Sequence, residues 1–377
     1  MRILFVSPHF FPFIGGAENY ILRICRQLKK LNHEVIVFTS TENAVDFDGI
    51  KVYSFPALFR YSNTPFNFWG SSISKIIEKE KPEVIVGSLS TPFMADSAAR
   101  LAEKKNIPFF LVYFNDYIKQ NFLEKIFLNF YFFFVLRKTF SLSRKIIVLS
   151  DYYAKKSVFL RSFLDKTVSI SPFVDLTEFK PVKNLVLENE RTVLFVGALN
   201  KGQKYKGLDY LIKAVLILKK DFPEIKLVVV GEGNNRSFFE EMCRKAGIAE
   251  NTVFAGNVSH EKLLLFYSQC TTLVLPSTSN SEGFGLVLLE AMAFSKPVIG
   301  SNIGGIPAVI QHNFNGLLVE PKNEKKLSEA IKFIFLNPKK AKELGLNGFM
   351  KVKQLSPEKI TKALMNLFEE ALNEKNN

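Results

Sequence analysis

Cysteine is scarce in this chain, and its scarcity excludes a good deal. The three cysteines, Cys25, Cys243 and Cys270, are odd in number and lack metal-ligand spacing. Neither a disulfide framework nor a zinc site is expected, and a reducing compartment is. Long apolar runs are missing too. The longest, FYFFFVL from Phe130 to Leu136, falls far short of the ~20 residues that span a bilayer. The opening MRILFVSPHFFPF has one charge and a strand-like run, without the apolar core or cleavage site of a signal peptide. The expected location is the cytoplasm. The four histidines are scattered and suggest no metal set, and neither repeats of solenoid period nor low-complexity tracts occur.

What remains is a globular composition. The 377 residues are 47% hydrophobic and 23% charged, enough for two domains with separate cores. The formal net charge is +14, shared between the two halves rather than gathered in a tail. Such a surplus favours polyanions, whether acidic lipid, nucleic acid or phosphorylated substrates; a merely soluble lysine-rich surface accounts for it equally well.

Short apolar runs alternate with longer amphipathic segments. RILFVS is followed by AENYILRICRQLKKL, then EVIVFT, EVIVGS, IPFFLVYF and KIIVLS. The rhythm restarts at RTVLFVG and continues through KLVVVG, NTVFAG, TTLVLPS and KPVIGS. Strands that read as unbroken apolar runs, each followed by a helix pattern, predict parallel sheets covered on both faces. The chain therefore reads as α/β, two Rossmann-like doubly wound domains facing a cleft, with a linker near residues 175–190. The expected bounds are 1–178 and 190–355, followed by a C-terminal helix over 356–377 for which packing back on the first domain is open.

The stretch SEGFGLVLLEAMAF places Gly283 and Gly285 where a loop becomes a helix. Unpaired amides and the helix dipole favour a phosphate there, and glycine lets it come close. The N–H groups of Gly283, Phe284, Gly285, Leu286 and Val287 are the candidates. Glu282 and Glu290 flank this turn with seven residues between them. Taken alone, both read as solvated helix-end charges. The context changes that reading. Gly15-Gly16 precede the first helix, and Lys206-Gly207 precede another in GALNKGQKYKGLDYL. FAGNVSHEKL, SNIGGIPAVI and NGLLVEP follow in order.

This order of motifs resembles family 4 of the retaining glycosyltransferases, which have the GT-B fold. The resemblance is dense from Arg191 to about Pro321, good over the first 31 residues and loose between. It implies an N-terminal acceptor-side domain and a C-terminal domain that binds a UDP- or GDP-sugar. It implies that Gly16 lets the first loop approach the donor diphosphate, that Lys206 pairs with it, and that Gly283 to Val287 donate to it. Glu290 would bind the ribose hydroxyls, Val258 would lie beside the base, and Glu282 would hold the transferred hexose. No metal and no cofactor is implied, and the acceptor is a glycan or a lipid-linked sugar. The sequence departs from the family in VYFND, where Asn115 stands at a frequent histidine and Asp116 follows. Asparagine does not titrate near neutral pH, so Asp116 or the departing phosphate must take the proton. Ala198 replaces a frequent arginine, with Lys201 and Lys204 as candidate substitutes.

DFD, Asp46 to Asp48, resembles a metal-binding DxD but reads as a polar surface loop. From Lys119 to Lys166, ten Lys and Arg stand against three Asp and Glu, with aromatics between them. That segment suits either a core-packed helix or an anionic membrane surface, as a peripheral site on the inner face of the plasma membrane. Other GT-B-type enzymes, a phosphorylase or an epimerase, remain alternatives. A basic membrane or nucleic-acid module explains none of the glycine junctions, and nucleic acid is not an expected partner.

Overall fold

A computed structural model describes residues 1–12, 15–61, 64–117, 122–179 and 191–376. It divides into two compact units, Met1–Pro172 with Pro357–Asn377, and Phe173–Ser356. Most of the expected linker, from residue 180 on, lies outside the described residues.

The first unit contains β1 (Arg2–Ser7), β2 (Glu34–Thr39), β3 (Lys51–Ser54), the short β4 (Phe59–Tyr61) and β5 (Thr64–Phe66), β6 (Val84–Leu89), β7 (Phe109–Tyr113), β8 (Lys145–Val148) and β9 (Thr167–Ser169). Seven of these form one parallel sheet in the order β3-β2-β1-β6-β7-β8-β9, while β4 and β5 make a separate antiparallel hairpin. Its helices are α1 (Gly16–Lys30), α2 (Trp69–Glu80), α3 (Met94–Lys104), α4 (Phe122–Tyr131), α5 (Arg137–Leu142) and α6 (Asp151–Lys156). Helices cover the sheet, so all six residues of β6 are buried and none needs a polar alternate. On α1 the buried set Tyr20, Ile21, Ile24, Cys25 and Leu28 follows helical spacing, with Lys29 and Lys30 at the negative end of its dipole.

The C-terminal helix, Pro357–Asn376, belongs to this unit. It packs on α1, and its buried stripe of Ile360, Leu364, Met365, Phe368 and Ala371 closes the first core. Phe368 lies 4.8 Å from the ring of Phe110 on β7, and Glu374 pairs with Arg144.

The second unit has a six-stranded parallel sheet in the order β12-β11-β10-β13-β14-β15. Its strands are β10 (Thr192–Val196), β11 (Lys226–Val230), β12 (Thr252–Gly256), β13 (Thr272–Leu275), β14 (Val298–Ser301) and β15 (Leu317–Val319). The helices are α7 (Leu208–Leu218), α8 (Arg236–Lys245), α9 (His260–Gln269), α10 (Leu286–Ala293), α11 (Ile306–Val309), α12 (Glu324–Leu336) and α13 (Pro338–Gln354). One of its cores gathers Val193, Leu227, Val274 and Ile299 from one face of the sheet with Leu211 of α7 and Ile331 of α12. The two α/β series expected from the sequence are both present.

Candidate functional site

In a doubly wound sheet, ligands bind beyond the carboxyl ends of the strands, where the strand order reverses. In the second unit that place lies between β10 and β13. The loop after β10 ends in Lys206, and the loop after β13 carries Ser277 to Gly285. Lys206 Nζ donates to Glu282 Oε2 at 3.1 Å, and the Ser277 hydroxyl donates to the same oxygen at 3.1 Å. Glu282 is only 7% exposed, so the pair is largely withdrawn from water. Burial by itself would lower the Lys206 pKa. The Glu282 carboxylate outweighs it and holds the ammonium above its ordinary value.

Glycine lets these loops touch. The Thr278 N–H donates to the Tyr205 carbonyl at 2.6 Å, and a Cβ on Gly207 would sit 2.0 Å from the Pro276 carbonyl oxygen. The loop after β14 closes the other side. Its Gly305 N–H donates to the Glu282 carbonyl at 2.7 Å, and a Cβ there would meet the Gly283 carbonyl oxygen at 1.9 Å. The glycines of KGLDYL and SNIGGIPAVI are therefore packing requirements of the loop that carries Glu282.

Gly285 precedes α10 with φ +87°, a conformation that favours glycine. Leu286 and Val287 open the helix, where geometry gives their N–H groups no acceptor four residues back. Both are half-buried, as is Gly283, while Phe284 is buried. One ammonium, from the loop after β10, thus stands against the loop that leads into the positive end of a helix. Glu290 lies in the second turn of α10, and its carboxylate accepts from the Tyr267 hydroxyl of α9 at 2.7 Å. Both residues are buried. Val258 is half-buried in the loop between β12 and α9, beside Ser259, whose hydroxyl caps α9 by accepting from the Lys262 N–H at 3.3 Å.

The candidate substitutes for the frequent arginine, Lys201 and Lys204, are both exposed, and Lys204 lies 4.7 Å from the centroid of the Phe238 ring. Within the second unit, then, Lys206, Glu282 and the 283–287 turn are brought together, and Glu290 is aimed from the same helix. Ser277 and Tyr267 hold the two carboxylates, and sequence reasoning missed both. Ser277 read as the end of a strand, and no motif drew notice to Tyr267.

The first unit reverses its strand order between β1 and β6. Gly16 opens α1 just beyond β1. At the end of β6, the hydroxyls of Ser88, Ser90 and Thr91 are buried without a hydrogen-bond partner. Glu18, in the first turn of α1, is buried, and burial pushes its pKa up to about 7. Asn115 is half-buried after β7, its Nδ2 donating to the Asp116 carbonyl at 3.3 Å. The Asp116 carboxylate accepts from the Tyr113 hydroxyl at 2.5 Å, from the Ser157 hydroxyl and from the Val158 N–H at 3.0 Å. Its own N–H donates to the Tyr153 hydroxyl at 2.7 Å. Two of the carboxylate's donors meet Oδ1 and one meets Oδ2, so a lone pair of Oδ2 stays open. The residue clasps the β7 loop to the turn after α6. Asp46 and Asp48 are also engaged within the chain, by the Val52 N–H and by Arg26.

Residues 14–178 match the family described as Glycosyltransferase Family 4, and residues 177–351 match Glycosyl transferases group 1. The chain is 28% identical over 376 residues to an uncharacterized glycosyltransferase of Methanocaldococcus jannaschii, with 98% of each chain covered. It is 26% identical over 388 residues to the O-antigen chain mannosyltransferase C of Escherichia coli, with 100% of each covered. Its fold is similar to that of Anabaena HepE in complex with UDP, with a TM-score of 0.79 at 18% identity, covering 98% of this chain and 100% of that one.

Proposed function

Because the chain is a glycosyltransferase of family 4 with the GT-B fold, we propose that it moves a hexose from a UDP- or GDP-sugar to a glycan or lipid-linked acceptor, retaining anomeric configuration and needing no metal. The observation that carries this reading is the contact of Lys206 with Glu282 three residues before the α10 turn. A pyrophosphate at that turn would accept from the amides of Gly283 to Val287 and draw Lys206 away from Glu282. Glu282, still held by Ser277, is then free to accept from hydroxyls of the hexose. Glu290, oriented by Tyr267, would accept from the ribose hydroxyls, with Val258 beside the base.

In the transfer, the bond from the anomeric carbon to the β-phosphate oxygen breaks, and its electron pair leaves with the nucleoside diphosphate. The acceptor hydroxyl oxygen bonds to the same face of that carbon, and its proton passes to the departing phosphate. Fixed amide dipoles and the Lys206 ammonium stabilise the charge that develops on the leaving oxygen. They would supply what a divalent cation supplies elsewhere. The partnerless hydroxyls of Ser88, Ser90 and Thr91 suit the first unit to an acceptor rich in hydroxyl groups.

The test is a thermal-shift series with UDP, GDP and ADP, followed by turnover with the matching sugars. A true donor nucleotide at a hundred times its Kd stabilises by about 2.7 kcal/mol. Glu282→Gln keeps the shape of the side chain and its hydrogen bonds. It is expected to abolish transfer while leaving nucleotide binding nearly intact. Undiminished turnover in that variant, or no stabilisation by any nucleotide, overturns the proposal.

A further inference from the structure

The aromatic segment of the first unit has an unusual disposition. α4 continues through a π-helical turn (Phe132–Leu136) directly into α5. Its inner face, Leu128, Tyr131, Leu136 and Phe140, is buried in the core. Its outer face is just as apolar: Phe127, Phe130, Phe133 and Phe134 are 42%, 59%, 60% and 68% exposed, and Ile126 beside them 52%. These positions recur at helical spacing, so they form one stripe. The stripe continues beyond the helix. Phe127 touches Phe93, Phe93 touches Phe66, and Phe66 stacks at 4.8 Å on the exposed Phe59 of the β4–β5 hairpin. Leu58 and Phe68, at either end of that hairpin, are 67% and 85% exposed. A contiguous exposed patch of this kind marks an interaction surface.

We propose that this stripe, with Leu58, Phe59 and Phe68 at the open end of the hairpin, seats the protein on an anionic bilayer surface. Charge decides between occupants. The Lys119 to Lys166 stretch carries half of the net +14 of the whole chain. Arg137, Lys138, Lys155, Lys156 and Arg161 are exposed within it. Arg137 lies 5.9 Å from the centroid of the Phe133 ring, so one cation sits directly beside the aromatic comb. A second copy of this chain would bring the same positive charge against it, whereas acidic headgroups complement it. The rings protrude from a helix rather than line a groove, which suits insertion into the headgroup boundary. No helix among the described residues is long and apolar enough to cross a membrane, so the contact is one of lying on the surface. The inference is independent of the donor site in the second unit.

The experiment is co-sedimentation of the full chain with vesicles of phosphatidylcholine alone, and with about a third phosphatidylglycerol. Binding is expected only with the acidic lipid. It should weaken about tenfold or more when the ionic strength is raised from about 0.1 M to about 1 M, which shortens the Debye length from about 10 Å to about 3 Å. The combined variant Phe130→Ser, Phe133→Ser, Phe134→Ser is expected to lose binding with unchanged melting temperature, since these side chains face solvent. Phe238→Ser, at an exposed phenylalanine of α8 in the second unit, should bind as the parent does. Binding to neither vesicle, equal binding to both, or salt-insensitive binding overturns the inference. So does a parent that is dimeric and a triple variant that is monomeric, which would make the stripe a subunit interface.

Discussion

At the scale of single residues, the buried carboxylates Glu282 and Glu18 meet different surroundings. Lys206 and Glu282 neutralise one another while the turn beside them stays positive by its dipole alone. Glu18 has no such cation: the causes of its raised pKa are burial first, opposed by a hydrogen bond to its backbone. That has a consequence for stability. Its folded-state pKa, about 7, lies above its ordinary value. As pH rises through that window, the carboxylate ionises in the unfolded chain before it does in the folded one, so stability falls and then levels off above about pH 7. Glu18→Gln removes the penalty. In urea titrations the variant is expected to match the parent near pH 4.5 and to exceed it by about 3 kcal/mol above neutrality. A difference that does not change with pH would mean that Glu18 is ionised in the fold.

At the scale of elements, the loops after β10, β13 and β14 are fitted to one another by main-chain contacts as well as by the Lys206–Glu282 pair. Gly305 has an ordinary negative φ, so its requirement is purely one of space: the Gly283 carbonyl occupies the volume of a Cβ. Gly305→Ala must therefore push the Glu282 loop away from the loop after β14, breaking the Gly305–Glu282 hydrogen bond. We expect nucleotide affinity and turnover to drop together by about tenfold or more, since a misplacement near 1 Å can cost a hundredfold. Isothermal titration and initial rates measure this. Parent-like values for both would show that the loop position is not needed. The position of this loop was legible in the glycines of SEGFGL and SNIGGIP, because each marks a backbone that must turn or approach closely. Its partners were not. Ser277 reaches Glu282 across four residues of loop, and Tyr267 reaches Glu290 from a different helix. No spacing rule links them.

At the scale of the whole molecule, the chain builds two cores, and the first is completed by its last twenty residues. Phe368 is fully buried against Phe110 of β7. Phe368→Ala is expected to cost roughly 3–5 kcal/mol. Hydrogen exchange should locate the loss in β1, β7 and α1, with β10 and β13 keeping their protection, because none of the second core's side chains belongs to that helix. Equal loss in both sheets would show that the units unfold as one.

By itself, the sequence determined the two α/β series and their strand-end glycines, which rest on local periodicity or on a backbone requirement that only certain residue types satisfy. Lys206, Glu282 and Glu290 stood out only through the resemblance to family 4. Tertiary structure decided which loops become neighbours, because strand order is permuted: β13 lies beside β10, so Lys206 meets a carboxylate 76 positions away. It also decided that Asp116 accepts from three donors, and that α4 and its π turn, apolar on both faces, bury one and expose the other. Amphipathic pattern says which faces are apolar, whereas burial depends on what the rest of the chain brings to cover them.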